Sequence, residues 1–213
     1  MKKATRTDKP HMLQMLESAF CDVPGVNWVT GKGRDQAKKR RLLLDYSLEL
    51  TFQQGEVWIS DDGQATMLLF KWHQRKQSLY TIWLQCKIAF LVVGLRRLPE
   101  ILARERYIQA QRPVKTPYIY CWFIACSPTR NSFESIKDLK DGLFRISAQE
   151  QLPIYMETTV PKMRAAYERY GFKTYHSWTR PQRNLQVWFF RRDPVPLESR
   201  LQPQHFVTQE EFA

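Results

Sequence analysis

Apolar side chains recur along this chain with two periods, one typical of helices and one typical of strands. The helical period predicts helices over about 9–20, 35–53, 78–93, 99–110, 131–150 and 160–170. Alternation, or a short apolar run, predicts strands over about 2–6, 56–60, 64–72, 118–126, 152–157, 172–178 and 185–191. Segment 24–33 is expected to be a loop, because it is rich in turn residues. This mixture predicts an α/β (α+β) fold whose sheet is covered by helices on both faces.

Segment 152–175 has the sharpest local pattern, a short apolar strand followed by a helix and a second strand. Thr158 or Thr159 is expected to cap the helix, and Pro161 suits its first turn, where no N–H is needed. Gly171 is expected to end the helix, because glycine adopts a positive φ at little cost. The segment therefore forms a unit of strand, helix, Tyr-x-x-x-Gly-Phe and strand.

The most apolar stretch covers 88–95, and its apolar flank begins at Ile82. Even with that flank it has about half of the roughly 20 residues that span a bilayer. The predicted helix over 78–93 is therefore expected to be buried. A helix that lies on a membrane surface stays open as an alternative, because Arg96 and Arg97 follow directly. The apolar stripe of this helix consists of Leu79, Ile82, Trp83, Cys86, Phe90 and Val93.

The formal net charge of +12 favours an anionic partner, whether nucleic acid, an acidic membrane surface or a polyphosphate cofactor. Four adjacent basic residues at 38–41 suggest nucleic acid at first. They lie within a predicted helix that also has an apolar side, so a solvated helix face explains them. No helix-turn-helix or zinc-finger pattern is present. Nucleic acid is therefore not expected to be the partner.

The four cysteines, Cys21, Cys86, Cys121 and Cys126, have no CxxC spacing and no paired Cys/His spacing. This argues against a metal site and against a disulfide framework. The start of the chain is polar and predicts no secretory signal. We therefore expect a reducing, cytoplasmic setting.

The unit at 152–175, with Tyr167 four residues before Gly171, resembles the C-terminal half of the GNAT N-acetyltransferase superfamily. The predicted order of elements resembles that superfamily over about 2–192, apart from an extra helical region at about 78–112. The resemblance implies a single domain over 1–193, followed by a tail over 194–213. It also implies a mixed, mostly antiparallel seven-stranded sheet in which the fourth and fifth strands splay apart.

The resemblance further implies acetyl-CoA as the acyl donor, with its pantetheine arm in the gap between strands 118–126 and 152–157. The amide groups of the arm would pair with an open strand edge. Superfamily members hold the pyrophosphate with a glycine-containing loop that opens a helix, whereas the matching segment 127–135 contains no glycine and includes Glu134. By resemblance, the donor contacts would come from Phe123, Ile124, Ala125 and Cys126, and the phosphate contacts from Arg130, Asn131, Ser132 and Ser135.

Two residues take catalytic roles by resemblance. Tyr167 occupies the position of a general acid that protonates the departing CoA thiolate; its alternative role is to pack the helix onto the sheet. Glu157 stands at a strand end where the superfamily often has a carboxylate, and would serve as the base; alternatively it bonds to the helix start. In this layout Trp28, Trp83 and Tyr107 would form an aromatic wall that suits a small amine acceptor.

The predicted function is therefore acetyl transfer from acetyl-CoA to a primary amine of a small molecule by direct attack. A catalytically inactive GNAT-like module that binds or senses CoA is the first alternative, and the glycine-free segment 127–135 favours it. A basic nucleic-acid-binding protein is the second. The identity of the acceptor, the length of the acyl chain and the oligomeric state stay open.

Overall fold

The computed structural model describes residues 1–113, 115–128, 132–180 and 185–195. Most of the tail predicted over 194–213 therefore lies outside the described residues. The helices are α1 Lys9–Ala19, α2 Pro24–Thr30, α3 Gln36–Gln54, α4 Leu79–Ile88, α5 Leu98–Ala110, α6 Ser132–Glu150 and α7 Pro161–Arg169. The strands are β1 Lys2–Lys3, β2 Glu56–Ile59, β3 Ala65–Lys71, β4 Ile119–Cys126, β5 Ile154–Thr158, β6 Lys173–Arg180 and β7 Leu185–Arg192.

These strands form one seven-stranded sheet in the order β1-β2-β3-β4-β5-β7-β6. Every neighbouring pair is antiparallel except β4 and β5, which run parallel. The β4–β5 ladder contains only the pairs Ile119–Ile154 and Tyr120–Tyr155, although β4 continues to Cys126 and β5 to Thr158. The predicted mixed sheet and the predicted splay between its fourth and fifth strands are both confirmed.

Neighbouring residues of a strand point to opposite faces of the sheet, and both faces here carry apolar side chains. Helices therefore pack on both faces. On one face, Met67 of β3 packs in a cluster with Leu139 and Leu143 of α6. On the other face, Leu68 packs with Leu16 of α1 and with α3. The splay between β4 and β5 is thus enclosed by helices above and below.

The segment over 24–33, predicted as a loop, contains helix α2, so that prediction was wrong. Pro24 occupies the first turn of α2, where its fixed φ suits a helix and its missing N–H is not needed. Val26 and Trp28 are buried, which stabilises this short helix by packing. Gly31 follows with a φ of +73° and ends it. The turn residues therefore mark the two ends of a helix.

The predicted helix over 78–93 is present as α4 followed by a π-helical turn, Ala89–Val93, but its predicted apolar stripe faces outward, apart from Val93, which is buried. Leu79 is 87% exposed and Phe90 is 64% exposed. The expectation that this stripe is buried was wrong, because the opposite face is also apolar and is the one that packs. Among the described residues, no helix is long and apolar enough to cross a membrane. The buried residues of this segment are Thr81, Leu84, Val92 and Val93.

Candidate active site

A cavity of about 990 Å³ lies where β4 and β5 separate. Residues of β4 from Tyr120 to Cys126 and residues 156–158 of β5 form its middle. Leu143 of α6 lines it on one face of the sheet, and Val26 of α2 lines it on the other. The cavity therefore passes through the sheet, and molecules on opposite faces can meet in the gap.

The predicted donor contacts Phe123, Ile124, Ala125 and Cys126 all line this cavity. One edge of this part of β4 pairs with β3 in the register Phe123–Leu68 to Cys126–Ala65. The other edge faces the gap and has no strand partner among the described residues. Its backbone amide and carbonyl groups are therefore placed to pair with an extended, amide-containing molecule.

The four predicted phosphate contacts have different outcomes. Arg130 and Asn131 lie outside the described residues, and Ser132 is the first residue of α6. Ser135 is only 2% exposed, and its hydroxyl donates to Asp62 Oδ2 at 2.6 Å. This bond links α6 to the β2–β3 turn and lowers the pKa of the Asp62 carboxyl. The Ser135 hydroxyl proton is therefore engaged by Asp62, and a phosphate contact from Ser135 stays a prediction.

Tyr167 lies on α7 with its ring against Phe190, at 5.4 Å between centroids, and it lines the cavity. Its hydroxyl makes no hydrogen bond to the described part of the chain. Burial raises the pKa of this phenol, with smaller contributions from Cys121 and Tyr170. Tyr167 therefore keeps its proton over a wider pH range than an ordinary tyrosine, as a proton donor requires.

Helix α7, which carries Tyr167, begins differently from the prediction. Its N-cap is Val160, and neither Thr158 nor Thr159 caps it. The Thr159 hydroxyl instead accepts a hydrogen bond from the Gly25 N–H at 3.0 Å, which joins the start of α7 to α2. Gly171 follows the helix with a φ of +82°, as predicted.

Glu157 lies near the end of β5 with its side chain only 10% exposed, and it also lines the cavity. Its Oε1 is 3.3 Å from Nε of Arg112, whose side chain is 2% exposed. Neither atom has a well-aligned hydrogen bond within the described residues, so the contact is an ion pair. Burial raises the pKa of Glu157, while Arg112 and the Tyr120 hydroxyl act in the opposite direction. The carboxyl is therefore a stronger base than an exposed glutamate.

Arg112 also belongs to this site, although no pattern in the sequence predicts it. Its guanidinium lies 3.8 Å from the centroid of the Tyr120 ring and 4.8 Å from that of Trp72. Such stacking, together with the Glu157 carboxylate, makes burial of the charge acceptable. The sequence offers only a single arginine at the end of the extra helical region, which by itself indicates no partner.

The predicted aromatic wall was wrong, because none of its three members lines the cavity. Trp28 is buried in a separate cluster, and Trp83 is 54% exposed on the outside of α4. The Tyr107 hydroxyl bonds to the His176 ring at 2.7 Å. Other aromatic side chains line the cavity instead, among them Tyr46, Trp72, Tyr120 and Trp122.

Two free cysteines, Cys121 and Cys126, line the cavity, and burial raises the pKa of both thiols. A raised pKa keeps a thiol protonated and unreactive near neutral pH. Among the described residues, no group of three or more His, Cys, Asp or Glu is placed to hold a metal ion. Among the titratable groups that line the cavity, Tyr167 and Glu157 are therefore the best suited to proton transfer.

Comparison with known proteins shows which fold carries this cavity. An acetyltransferase from Corynebacterium glutamicum, described as histone acetyltransferase HPA2 and related acetyltransferase, matches with a TM-score of 0.63 at 17% identity over 91% of this chain and 95% of its own. The chain has the GNAT fold. No protein-family model matches the sequence.

Two eukaryotic structures with the GNAT fold match over similar lengths. Arylalkylamine N-acetyltransferase 2 from Aedes aegypti has a TM-score of 0.57 at 12% identity, over 91% of this chain and 98% of its own. The polyamine N-acetyltransferase from Drosophila melanogaster, which forms N-acetylagmatine, has a TM-score of 0.59 at 12% identity, over 90% of this chain and 98% of its own. At these identities the likeness concerns the GNAT fold alone.

Proposed function

We propose that this protein is an N-acetyltransferase that transfers an acetyl group from acetyl-CoA to a primary amine of a small molecule. The observation that carries the proposal is the cavity through the β4–β5 gap, which brings a protonated tyrosine and a buried carboxylate to a single space. The GNAT fold supports it, since acetyltransferases with that fold match this chain over nearly their whole length. The open edge of β4 suits the amide-containing arm of the donor.

The proposed chemistry divides between two residues. Acetyl-CoA, when bound, supplies the acetyl group as a thioester. Glu157 takes the proton from the amine nitrogen through a carboxylate oxygen, and Arg112 holds that carboxylate in place. Tyr167 gives its phenolic proton to the departing sulfur. The raised pKa values of Cys121 and Cys126 favour direct attack by the amine over an acyl-cysteine intermediate.

Acetyl-CoA binding is the direct test of the proposed donor. At a free concentration about 100 times its Kd, acetyl-CoA is expected to raise the free energy of unfolding by about 2.7 kcal/mol. Urea unfolding with and without the donor measures this change, and acetate at equal concentration serves as the control. No stabilisation by acetyl-CoA or a longer acyl-CoA at millimolar concentration would exclude the proposal.

The charges around the cavity indicate the class of amine. Among the residues that the structure describes, two carboxylates line the cavity, Glu105 and Glu157, against a larger number of cations. Such an excess of positive charge disfavours a polycation. We therefore propose an arylalkyl monoamine rather than a polyamine as acceptor, with the aromatic lining as the apolar contact. The cationic lining residues are Arg75, Arg104, Arg106, Arg112 and Lys140.

A comparison of two acceptors tests this choice. We expect kcat/KM for tryptamine to exceed that for spermidine by about tenfold or more, which corresponds to ~1.4 kcal/mol. Initial rates of thiol release measure both. If spermidine is the better substrate by the same factor, the proposed acceptor class is wrong, while the transferase proposal stands.

The inactive CoA-binding module is the second candidate, and the glycine-free segment 127–135 favours it. It predicts stabilisation by acetyl-CoA without turnover of any amine. Nucleic-acid binding has less support, because two basic residues of the 38–41 run are engaged on the protein surface. Arg41 pairs with Glu17 at 2.6 Å, and Arg40 donates to the Cys21 carbonyl at 2.9 Å.

A further inference from the structure

The outer side of α4 and of the segment after it presents large apolar side chains to solvent, and the proposed reaction does not use them. Leu79 is 87% exposed, Leu95 65%, Phe90 64% and Trp83 54%. Leu79, Trp83 and Phe90 recur at helical spacing and therefore lie on one side of the helix, and Leu95 lies in the turn that follows. We call this surface the α4 patch; it comprises Leu79, Ile82, Trp83, Phe90, Leu91 and Leu95.

The α4 patch is built on a helix that is firmly anchored from behind. Ser78 caps α4 by accepting a hydrogen bond from the Thr81 N–H at 3.2 Å. Leu84 is 6% exposed and Val92 1%, so the opposite side is in the core. The π-helical turn holds Val92 and Val93 inward, while Phe90 and Leu91 point outward. The patch is therefore a fixed part of the fold.

The charges along the segment that carries the α4 patch have one sign. Segment 75–97 contains five basic residues and no acidic residue. Arg75 is partly buried, and Arg97 donates to the Val29 carbonyl at 3.2 Å. The three that remain, Lys76, Lys87 and Arg96, are exposed. Lys87 lies over the Trp83 ring, with Nζ 5.2 Å from its centroid, so a cation and an aromatic ring occupy the same surface.

We propose that the α4 patch docks the protein on an anionic phospholipid bilayer, with α4 lying in the plane of the membrane surface. A helix whose exposed face carries Trp, Phe, Leu and Ile beside basic residues, without acidic ones, fits the boundary between acyl chains and anionic headgroups. Each cation near such a surface adds attraction. Docking at the surface also agrees with a helix too short to cross a membrane.

A second copy of the chain fits the α4 patch less well. A two-fold symmetric contact would place the patch against itself. Lys76, Lys87 and Arg96 of both copies would then meet across the contact, with no acidic residue of segment 75–97 to pair with them. An anionic bilayer relieves this repulsion, whereas self-association increases it.

Co-sedimentation with vesicles tests the proposal on the full chain. Vesicles of phosphatidylcholine mixed with phosphatidylglycerol are expected to bind the protein at least about tenfold more strongly than vesicles of phosphatidylcholine alone, because the anionic lipid attracts the basic rim. Phe90→Glu is expected to lower the partition coefficient on the mixed vesicles about tenfold or more, because it places a negative charge among anionic lipids. Lys87→Gln is expected to lower it by a smaller factor.

Phe133→Glu is the matched control, because Phe133 is also an exposed phenylalanine, 66% against 64% for Phe90, but lies on α6. It is expected to retain wild-type partition. Equal binding to both vesicle types, no binding to either, or an equal loss in both variants would overturn the proposal. A wild-type dimer that Phe90→Glu converts to a monomer in analytical ultracentrifugation would also overturn it, and would assign the patch to a second copy.

Discussion

Replacing Tyr167 by phenylalanine is expected to lower kcat by about 10²–10⁴-fold, the range for loss of a placed proton donor. The ring packs against Phe190 and lines the cavity, and phenylalanine keeps that packing. The hydroxyl bonds to no described residue, so its loss leaves no partner unsatisfied. The Kd of acetyl-CoA, measured by calorimetry, is therefore expected to stay within about twofold of the wild-type value.

Tyr170→Phe is the matched control for Tyr167→Phe, since Tyr170 also lies beside α7 and lines the cavity. It is expected to retain kcat, because Tyr170 has no proposed role in proton transfer. The pH profile gives a second measure. The wild-type alkaline limb is expected above the ordinary pKa of tyrosine, because burial raises that of Tyr167. Equal losses of kcat in both variants would show that the effect is not specific to the Tyr167 hydroxyl, and would remove it as the proton donor.

Glu157→Gln is expected to lower kcat/KM by about 10²–10⁴-fold, because the amide cannot accept the proton of the amine. In the wild type, Glu157 acts as a base only when ionised, so kcat/KM falls as the pH drops through its pKa. Burial raises that pKa, and the fall therefore begins at a higher pH than for an ordinary glutamate. The variant is expected to lack this acidic limb in a profile of kcat/KM against pH.

Glu157→Gln also leaves Arg112 buried without a carboxylate, which costs about 3–5 kcal/mol. Urea unfolding measures this loss and separates it from catalysis. The double variant Arg112→Met with Glu157→Gln is expected to regain much of the stability and to stay inactive. Glu105→Gln is the matched control, because Glu105 lines the cavity and pairs with the adjacent Arg104. Full activity in the double variant would remove Glu157 as the base.

The periodicity of the sequence was enough to predict most of the elements, because their faces differ in polarity or their strands are apolar throughout. The strand predicted over 118–126 is β4, Ile119–Cys126, and the glycine expected to end the Tyr167 helix has a positive φ. Segment 24–33 was mistaken for a loop because Pro24 and Gly31, which also favour turns, mark the ends of a helix. The first strand is only Lys2–Lys3, since a short helical turn over Arg6–Asp8 follows it.

Tertiary packing decided what the sequence could not. Helix α4 is apolar on both sides, so its period gave no means of choosing the buried face. Strand β4 and helix α6 lie between Arg112 and Glu157 in the chain, so no spacing rule relates the two residues. Trp28 and Tyr107 were expected at the acceptor pocket because the layout implied by the resemblance puts their segments beside it, yet both pack in another cluster. The family resemblance of segment 152–175 pointed to Tyr167 and Glu157, which both line the cavity, whereas the ion pair between Glu157 and Arg112 is visible only in three dimensions.

The splay between β4 and β5 has a consequence for self-association. An unpaired strand edge can template the addition of strands from other chains, and such edges usually lie at the rim of a sheet. Here the open edge of β4 is in the middle of the sheet, where β5 and the covering helices restrict the approach of another chain. At the rim, β1 is only Lys2–Lys3, and β6 begins with Lys173 and ends with Arg180. The short β1 and the basic ends of β6 disfavour strand addition at the outer edges. The central edge of β4 is open only to a narrow, extended ligand.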